Sequence, residues 1–215
     1  FRIFLLLVVL SGTLSAGAQP FINEINYFKK LDSLNAPPAN PILFIGSSSF
    51  TRWKDVQDYF PSYTILNRGF GGSSLPHLIR YADDVIFKYQ PRQIVVYCGE
   101  NDFGGGDEIT GKVVRDRFKE LHRLIRSRLP KVPIVYISMK PSPSREKLLP
   151  RMEEGNRLIR RFCKRKKNTE FVDVFHHMLT PDGKIKADIF VSDNLHMNSK
   201  GYEIWQPLIE PYLLK

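Results

Sequence analysis

Apolar and polar positions along the chain fall into two alternating rhythms. Short, nearly unbroken apolar runs occur at Ile42–Ile45, Tyr63–Leu66, Ile94–Cys98, Ile134–Ser138 and Phe171–Val174. Rich in Val and Ile and lacking a polar face, they read as strands covered on both sides. Between them apolar residues return at spacings of three and four, the signature of a helix face. Leu75, Leu78, Ile79, Ala82, Val85 and Ile86 form one such stripe, ending before Pro91. Val114, Phe118, Leu121 and Ile125 form the next, and Met152, Ile159 and Phe162 mark a third. Phe21, Ile25, Phe28 and Leu31 predict a helix ahead of the first strand, stopped before Pro37-Pro38. Trp205, Leu208, Ile209 and Tyr212 predict a last one, which Pro207 and Pro211 should disturb. Strand–helix alternation of this kind predicts a parallel sheet with helices on both faces, a three-layer α/β/α sandwich of about five strands.

Residues 1–18 break the pattern. Ile3 to Leu10 is one apolar run, and Ala16-Gly17-Ala18 fits a small-residue cleavage site. The segment reads as a secretory signal peptide with a clipped basic start, too short for a permanent membrane span. The expected mature protein is periplasmic or extracellular, with residues 19–40 as an N-terminal helix and linker and 41–215 as the main domain. Later in the chain, no apolar run is long enough to cross a membrane.

Composition sharpens this only slightly. The chain has 215 residues, 42% hydrophobic and 25% charged, enough for one domain with a sizeable core. Lys and Arg outnumber Asp and Glu by 32 to 22, a net charge of +10. The excess lies in Lys112–Lys131 and Arg157–Lys167, which read as solvated helix faces that keep the protein soluble. No nucleic-acid-binding motif accompanies them, so no nucleic-acid partner is expected. Cys98 and Cys163 are too few for a disulfide framework and read as small buried hydrophobes. His77, His122, His176 and His177 lack metal-ligand spacing, so neither metal nor cofactor is expected.

Polar segments follow the strands. Gly46-Ser47-Ser48-Ser49 follows the first, Asn67-Arg68-Gly69-Phe70-Gly71-Gly72 the second and Gly99-Glu100-Asn101-Asp102 the third. A loop before the last helix carries Asp193-Asn194-Leu195-His196. Singly, each reads as an ordinary turn, helix cap or Gly-rich loop. An open parallel sheet, however, binds ligands at the carboxyl ends of its strands, where all four would meet.

In this order, Gly46-Ser47-Ser48, Gly69, Asn101 and Asp193-x-x-His196 resemble the four sequence blocks of the SGNH, or GDSL-like, hydrolases. The nearest members in kind are esterases similar to platelet-activating-factor acetylhydrolase. The resemblance runs from about Pro41 to Tyr202 and implies a flavodoxin-like sheet and ester hydrolysis without a cofactor. The first block departs from the family's Gly-Asp-Ser, because Ser47 stands at the Asp position. Spacing alone does not choose among Ser47, Ser48 and Ser49; the resemblance selects Ser48.

By that resemblance Ser48 is the nucleophile, His196 the general base and Asp193 the residue that orients the imidazole. The oxyanion donors it implies are the amides of Ser48 and Gly69 and the side chain of Asn101. Arg68, Glu100 and Arg145 are candidate substrate contacts, Arg145 within the Lys140–Arg145 loop that follows the fourth strand. The expected substrate is a small-molecule or polysaccharide ester carrying an acetyl or other short acyl group. A lysophospholipase or thioesterase is the other enzymatic reading, and a non-catalytic carbohydrate-binding module the reading from another class.

Overall fold

The computed structural model describes residues 19–215; the expected signal peptide lies outside them. Five strands, β1 (Ile42–Gly46), β2 (Ile65–Gly69), β3 (Gln93–Tyr97), β4 (Ile134–Ile137) and β5 (Thr169–Val172), form one sheet. Its order is β2-β1-β3-β4-β5, and every pairing is parallel. Gly46 lies level with both Gly69 and Tyr97, so three strands end together at one rim.

The helices are α1 (Ile22–Leu34), α2 (Ser48–Arg52), α3 (Val56–Tyr59), α4 (Leu75–Arg80), α5 (Ala82–Val85), α6 (Gly111–Arg128), α7 (Leu149–Cys163) and α8 (Ser199–Ile209). Because side chains alternate along a strand, each strand feeds two cores. Leu43, Ile45, Ile94, Val96, Ile134 and Tyr136 meet α1 and α4 to α7. Ile42, Phe44, Val95, Tyr97, Val135 and Ile137 meet α2, α3 and α8, around Trp53 and Trp205. This is the three-layer sandwich that the alternation predicted. No helix among the described residues is long and apolar enough to cross a membrane. Cys98 and Cys163 are buried and unbonded.

Strands β1, β3 and β4 differ from the sequence reading by single residues at their ends, and three larger differences have physical reasons. Strand β2 runs past the apolar stretch through Asn67 and Arg68, whose polar ends are satisfied by buried partners: Asn67 Nδ2 donates to the Phe50 carbonyl at 2.7 Å, and Arg68 Nε to Tyr89 Oη at 2.7 Å. Strand β5 stops at Val172, because Ser138 Oγ accepts the amides of Val174 and Phe175 and draws them off the sheet. The Leu75–Ile86 stripe is two short helices broken at Tyr81, although its apolar face is buried as expected. The last helix contains Pro207 and tightens into a 3₁₀ turn over Glu210–Tyr212.

Candidate active site

Four polar segments collect at the carboxyl ends of β1 to β4. Chain entry into the first is tight: a Cβ on Gly46 would lie 1.9 Å from the Tyr97 carbonyl oxygen, so only glycine passes there. The Ser47 amide then donates to that same oxygen at 3.0 Å, pinning the start of α2 to the end of β3. Of the three adjacent serines, Ser47 and Ser49 are 4% and 3% exposed, whereas Ser48 is half-buried at the first turn of α2. The Ser48 amide has no hydrogen-bond partner among the described residues. Ser47 stands where the family pattern has Asp, and its carbonyl accepts from the amides of Phe50 and Thr51.

The Asp193–His196 loop is the most sharply defined part of the site. Asp193 Oδ2 lies 2.6 Å from His196 Nδ1. Its Oδ1 accepts the amides of Leu195 and His196, each at 2.9 Å. The imidazole bond, followed by the two amides, holds the Asp193 carboxyl well below the usual carboxylate range. An ionised Asp193 fixes the proton on Nδ1, leaving Nε2 as the acceptor. The bond from Ser48 Oγ to His196 Nε2 is itself not formed; such contacts often close only around a substrate.

Asn101 sits in the turn after β3 with a defined amide orientation. Its Nδ2 donates one hydrogen to the Ser73 carbonyl at 2.9 Å, and its Oδ1 accepts from Arg145 Nη2 at 2.6 Å. One Nδ2 hydrogen is left over.

Three expected site residues take other places. The Gly69 amide donates to Asn67 Oδ1 at 2.9 Å, and a Cβ at Gly69 would meet Phe50 Cβ at 2.6 Å. Gly69 therefore faces the packing of α2, and its amide is engaged. Two residues on, a Cβ at Gly71 would lie 3.8 Å from Ser48 Cβ, so the Gly71-Gly72 turn is what borders the serine. Neither amide of that turn has a partner among the described residues, and Gly72 has φ of 81°, a left-handed value that favours glycine. Both glycines stood in the same Gly-rich run as Gly69, but sequence gave no reason to prefer them.

Arg68 points away from the rim. It is buried against Asp32 and Tyr89, between the rings of Phe28 and Tyr89, and ties α1 to the sheet. Glu100 is buried too, paired with Lys140 and Arg145 rather than open to a ligand. Arg145 does reach the rim, but both its terminal nitrogens are taken, by Glu100 and Asn101.

A second Asp-x-x-His pair, Asp173 with His176, makes the same kind of contact at 2.8 Å beyond the edge strand β5. It borders a depression of about 520 Å³ lined also by Glu153, Arg157 and Phe171, with no serine in its wall. No cluster of His, Cys, Asp or Glu fit to hold a metal occurs among the described residues.

Comparisons with known proteins bear on the fold and the family. Structurally, the chain is similar to a candidate platelet activating factor protein from Streptococcus pneumonia (TM-score 0.77, 22% identity, 89% of this chain and 92% of that one). A GDSL-like lipase from Bacteroides thetaiotaomicron is also similar (TM-score 0.71, 17% identity, 87% and 96% covered). So is a Geobacillus acetyl-xylooligosaccharide esterase (TM-score 0.61, 14% identity, 83% and 97% covered). At such identities these likenesses establish the fold alone. No curated protein sequence gives a match. Residues 39–204 match the GDSL-like Lipase/Acylhydrolase family, a span that includes Ser48, Asn101, Asp193 and His196. The chain belongs to the GDSL-like lipase/acylhydrolase family and is an enzyme that hydrolyses acyl ester bonds.

Proposed function

We propose that the protein removes acetyl or other short acyl groups from carbohydrates or related esters through an acyl-Ser48 intermediate. The observation that carries this is the 2.6 Å Asp193–His196 pair, with no partner on Nε2 among the described residues, on the same rim as Ser48, the one accessible member of the Ser47–Ser49 run. In the first half-reaction His196 Nε2 takes the Ser48 proton as Oγ attacks the ester carbonyl. The oxyanion is met by the Ser48 amide, an amide of the Gly71-Gly72 turn and the spare Nδ2 hydrogen of Asn101. Collapse returns the proton to the departing alcohol. Water, deprotonated by His196, then attacks the acyl-serine and releases the acid. Each step moves a proton between groups already on the rim, so the scheme calls for no cofactor.

Support for a short acyl group on a sugar comes from two sides. The fold is like that of an acetyl-xylooligosaccharide esterase. The exposed rim beside His196 carries Ser192 and Asn194, groups that hydrogen-bond hydroxyls better than they cover a lipid chain. A turnover panel tests it: acetylated xylo-oligosaccharides against p-nitrophenyl acetate, p-nitrophenyl octanoate and lysolipids. Preference for acetyl over octanoyl esters is expected; strong preference for octanoate or lysolipid would replace this reading with a lipid acylhydrolase. Export to the periplasm or medium belongs to the same proposal and rests on the Ile3–Ala18 pattern. The exported protein should begin at Gln19 when its N-terminus is sequenced, and an N-terminus upstream of Ala18 would contradict cleavage there.

A further inference from the structure

The Lys140–Arg145 loop is built more heavily than a substrate wall requires. Lys140 is 1% exposed and Glu100 6%, so two opposite charges are taken almost wholly out of water beside the site. Lys140 Nζ lies 3.5 Å from Glu100 Oε2 and donates to the Leu195 carbonyl at 2.8 Å, the peptide link into His196. Glu100 Oε2 also accepts from Arg145 Nη1 at 3.2 Å, and Arg145 Nη2 reaches Asn101 Oδ1 at 2.6 Å. The Ser144 amide donates to the Asn194 carbonyl at 3.0 Å. A continuous ionic chain therefore joins the oxyanion donor to the loop of the base.

Such a cluster is a poor source of stability, because desolvating the charges cancels most of their attraction. Its geometry suits another task. An Asn amide can turn over and present oxygen where nitrogen is needed; oxygen aimed at a developing oxyanion would repel it. Arg145 supplies a fixed, permanently charged donor to Oδ1, while the Ser73 carbonyl holds one Nδ2 hydrogen. Charge donated to Oδ1 also draws electron density from the amide nitrogen, strengthening the hydrogen it offers.

We propose that Arg145 is a positioning residue that locks and polarises the Asn101 side chain as an oxyanion donor, with Glu100 and Lys140 holding it in register with the His196 loop. The proposal rests on the acyl-Ser48 reading above. It is tested by kinetics of Arg145→Met, Arg145→Lys, Asn101→Ala and the Arg145→Met/Asn101→Ala double variant on p-nitrophenyl acetate, with thermal melts to confirm folding. Arg145→Met should lower kcat about 10- to 100-fold, with KM changed less than about two-fold. Arg145→Lys should recover part of the loss. In the Asn101→Ala background the Arg145 change should cost nothing further, because the group it positions is gone. Unaltered kcat in Arg145→Met, a loss expressed in KM, or a loss that multiplies with that of Asn101→Ala would each overturn the assignment. Should the wild type show no ester turnover at all, the acyl-Ser48 reading fails and this proposal with it; wild-type turnover with an indifferent Arg145 removes the proposal alone.

Discussion

At the scale of single residues, the site depends on how each polar atom is occupied. Asp193 is the only group among the described residues bonded to His196 Nδ1; no backbone carbonyl shares the task. Asp193→Ala should therefore lower kcat/KM by about 10³- to 10⁴-fold, close to the effect of His196→Ala. A loss of under ten-fold, measured on p-nitrophenyl acetate, would mean that another group orients the ring. Asn101→Ala should lower kcat about 10²- to 10³-fold with little change in KM, as for any donor that acts mainly on the transition state. An unchanged kcat would remove Asn101 from the oxyanion site. Exposure favours Ser48 where sequence spacing left Ser47, Ser48 and Ser49 open, since the other two are buried.

At the scale of elements, the strand ends do the positioning. The β1 end is the most constrained, because Gly46 passes against the Tyr97 carbonyl with no room for a methyl group. Gly46→Ala should destabilise the protein by about 2–3 kcal/mol through overpacking and displace the start of α2, lowering both the urea midpoint and activity. A variant with wild-type midpoint and rate would contradict this account of the turn. The regular elements were legible in sequence because their cores follow simple periods, Leu43 and Ile45 to one face, Ile42 and Phe44 to the other. Legibility failed where a polar residue lies inside a strand: Asn67 and Arg68 sit in β2 because partners distant in sequence, Phe50 and Tyr89, satisfy them. The same blind spot misplaced Arg68 and Glu100 as ligand contacts, since a charged residue after a strand looks alike whether its partner is a substrate or a buried ion. Ser48, Asn101, Asp193 and His196 stood out in sequence only through the family pattern, and the roles given to them belong to the proposed function. The place of Gly69 was not legible, because choosing among three glycines requires knowing which amide is already bonded.

At the scale of the whole molecule, two cores flank the sheet, and a histidine is buried where β5 begins, at the end of the sheet away from Ser48. His122 on α6 is 5% exposed, contacts Thr169 Oγ1 and has its pKa pushed down to about 4 by burial, then by nearby Arg126 and Lys166. Folded His122 stays neutral where the unfolded chain, at the ordinary value of 6.5, already takes up a proton. The unfolded state thus binds more protons between these values, and stability is lost as pH falls from about 6.5 toward 4. His77, also lowered by burial, acts in the same direction; buried Asp102, raised, acts in the opposite one at the acid end. Melting temperature should drop between pH 7 and 4.5, and His122→Gln should flatten that drop. An unchanged slope in the variant would assign the acid sensitivity elsewhere.

The central claim is that Ser48 is the residue that becomes acylated. Treating the folded protein with a fluorophosphonate and mapping the adduct by peptide mass spectrometry tests it directly, because the reagent modifies only a serine activated by a neighbouring base. The predicted result is one adduct, on the peptide carrying Ser48, lost in both Ser48→Ala and His196→Ala. An adduct on any other residue, or labelling that persists in Ser48→Ala, would contradict it.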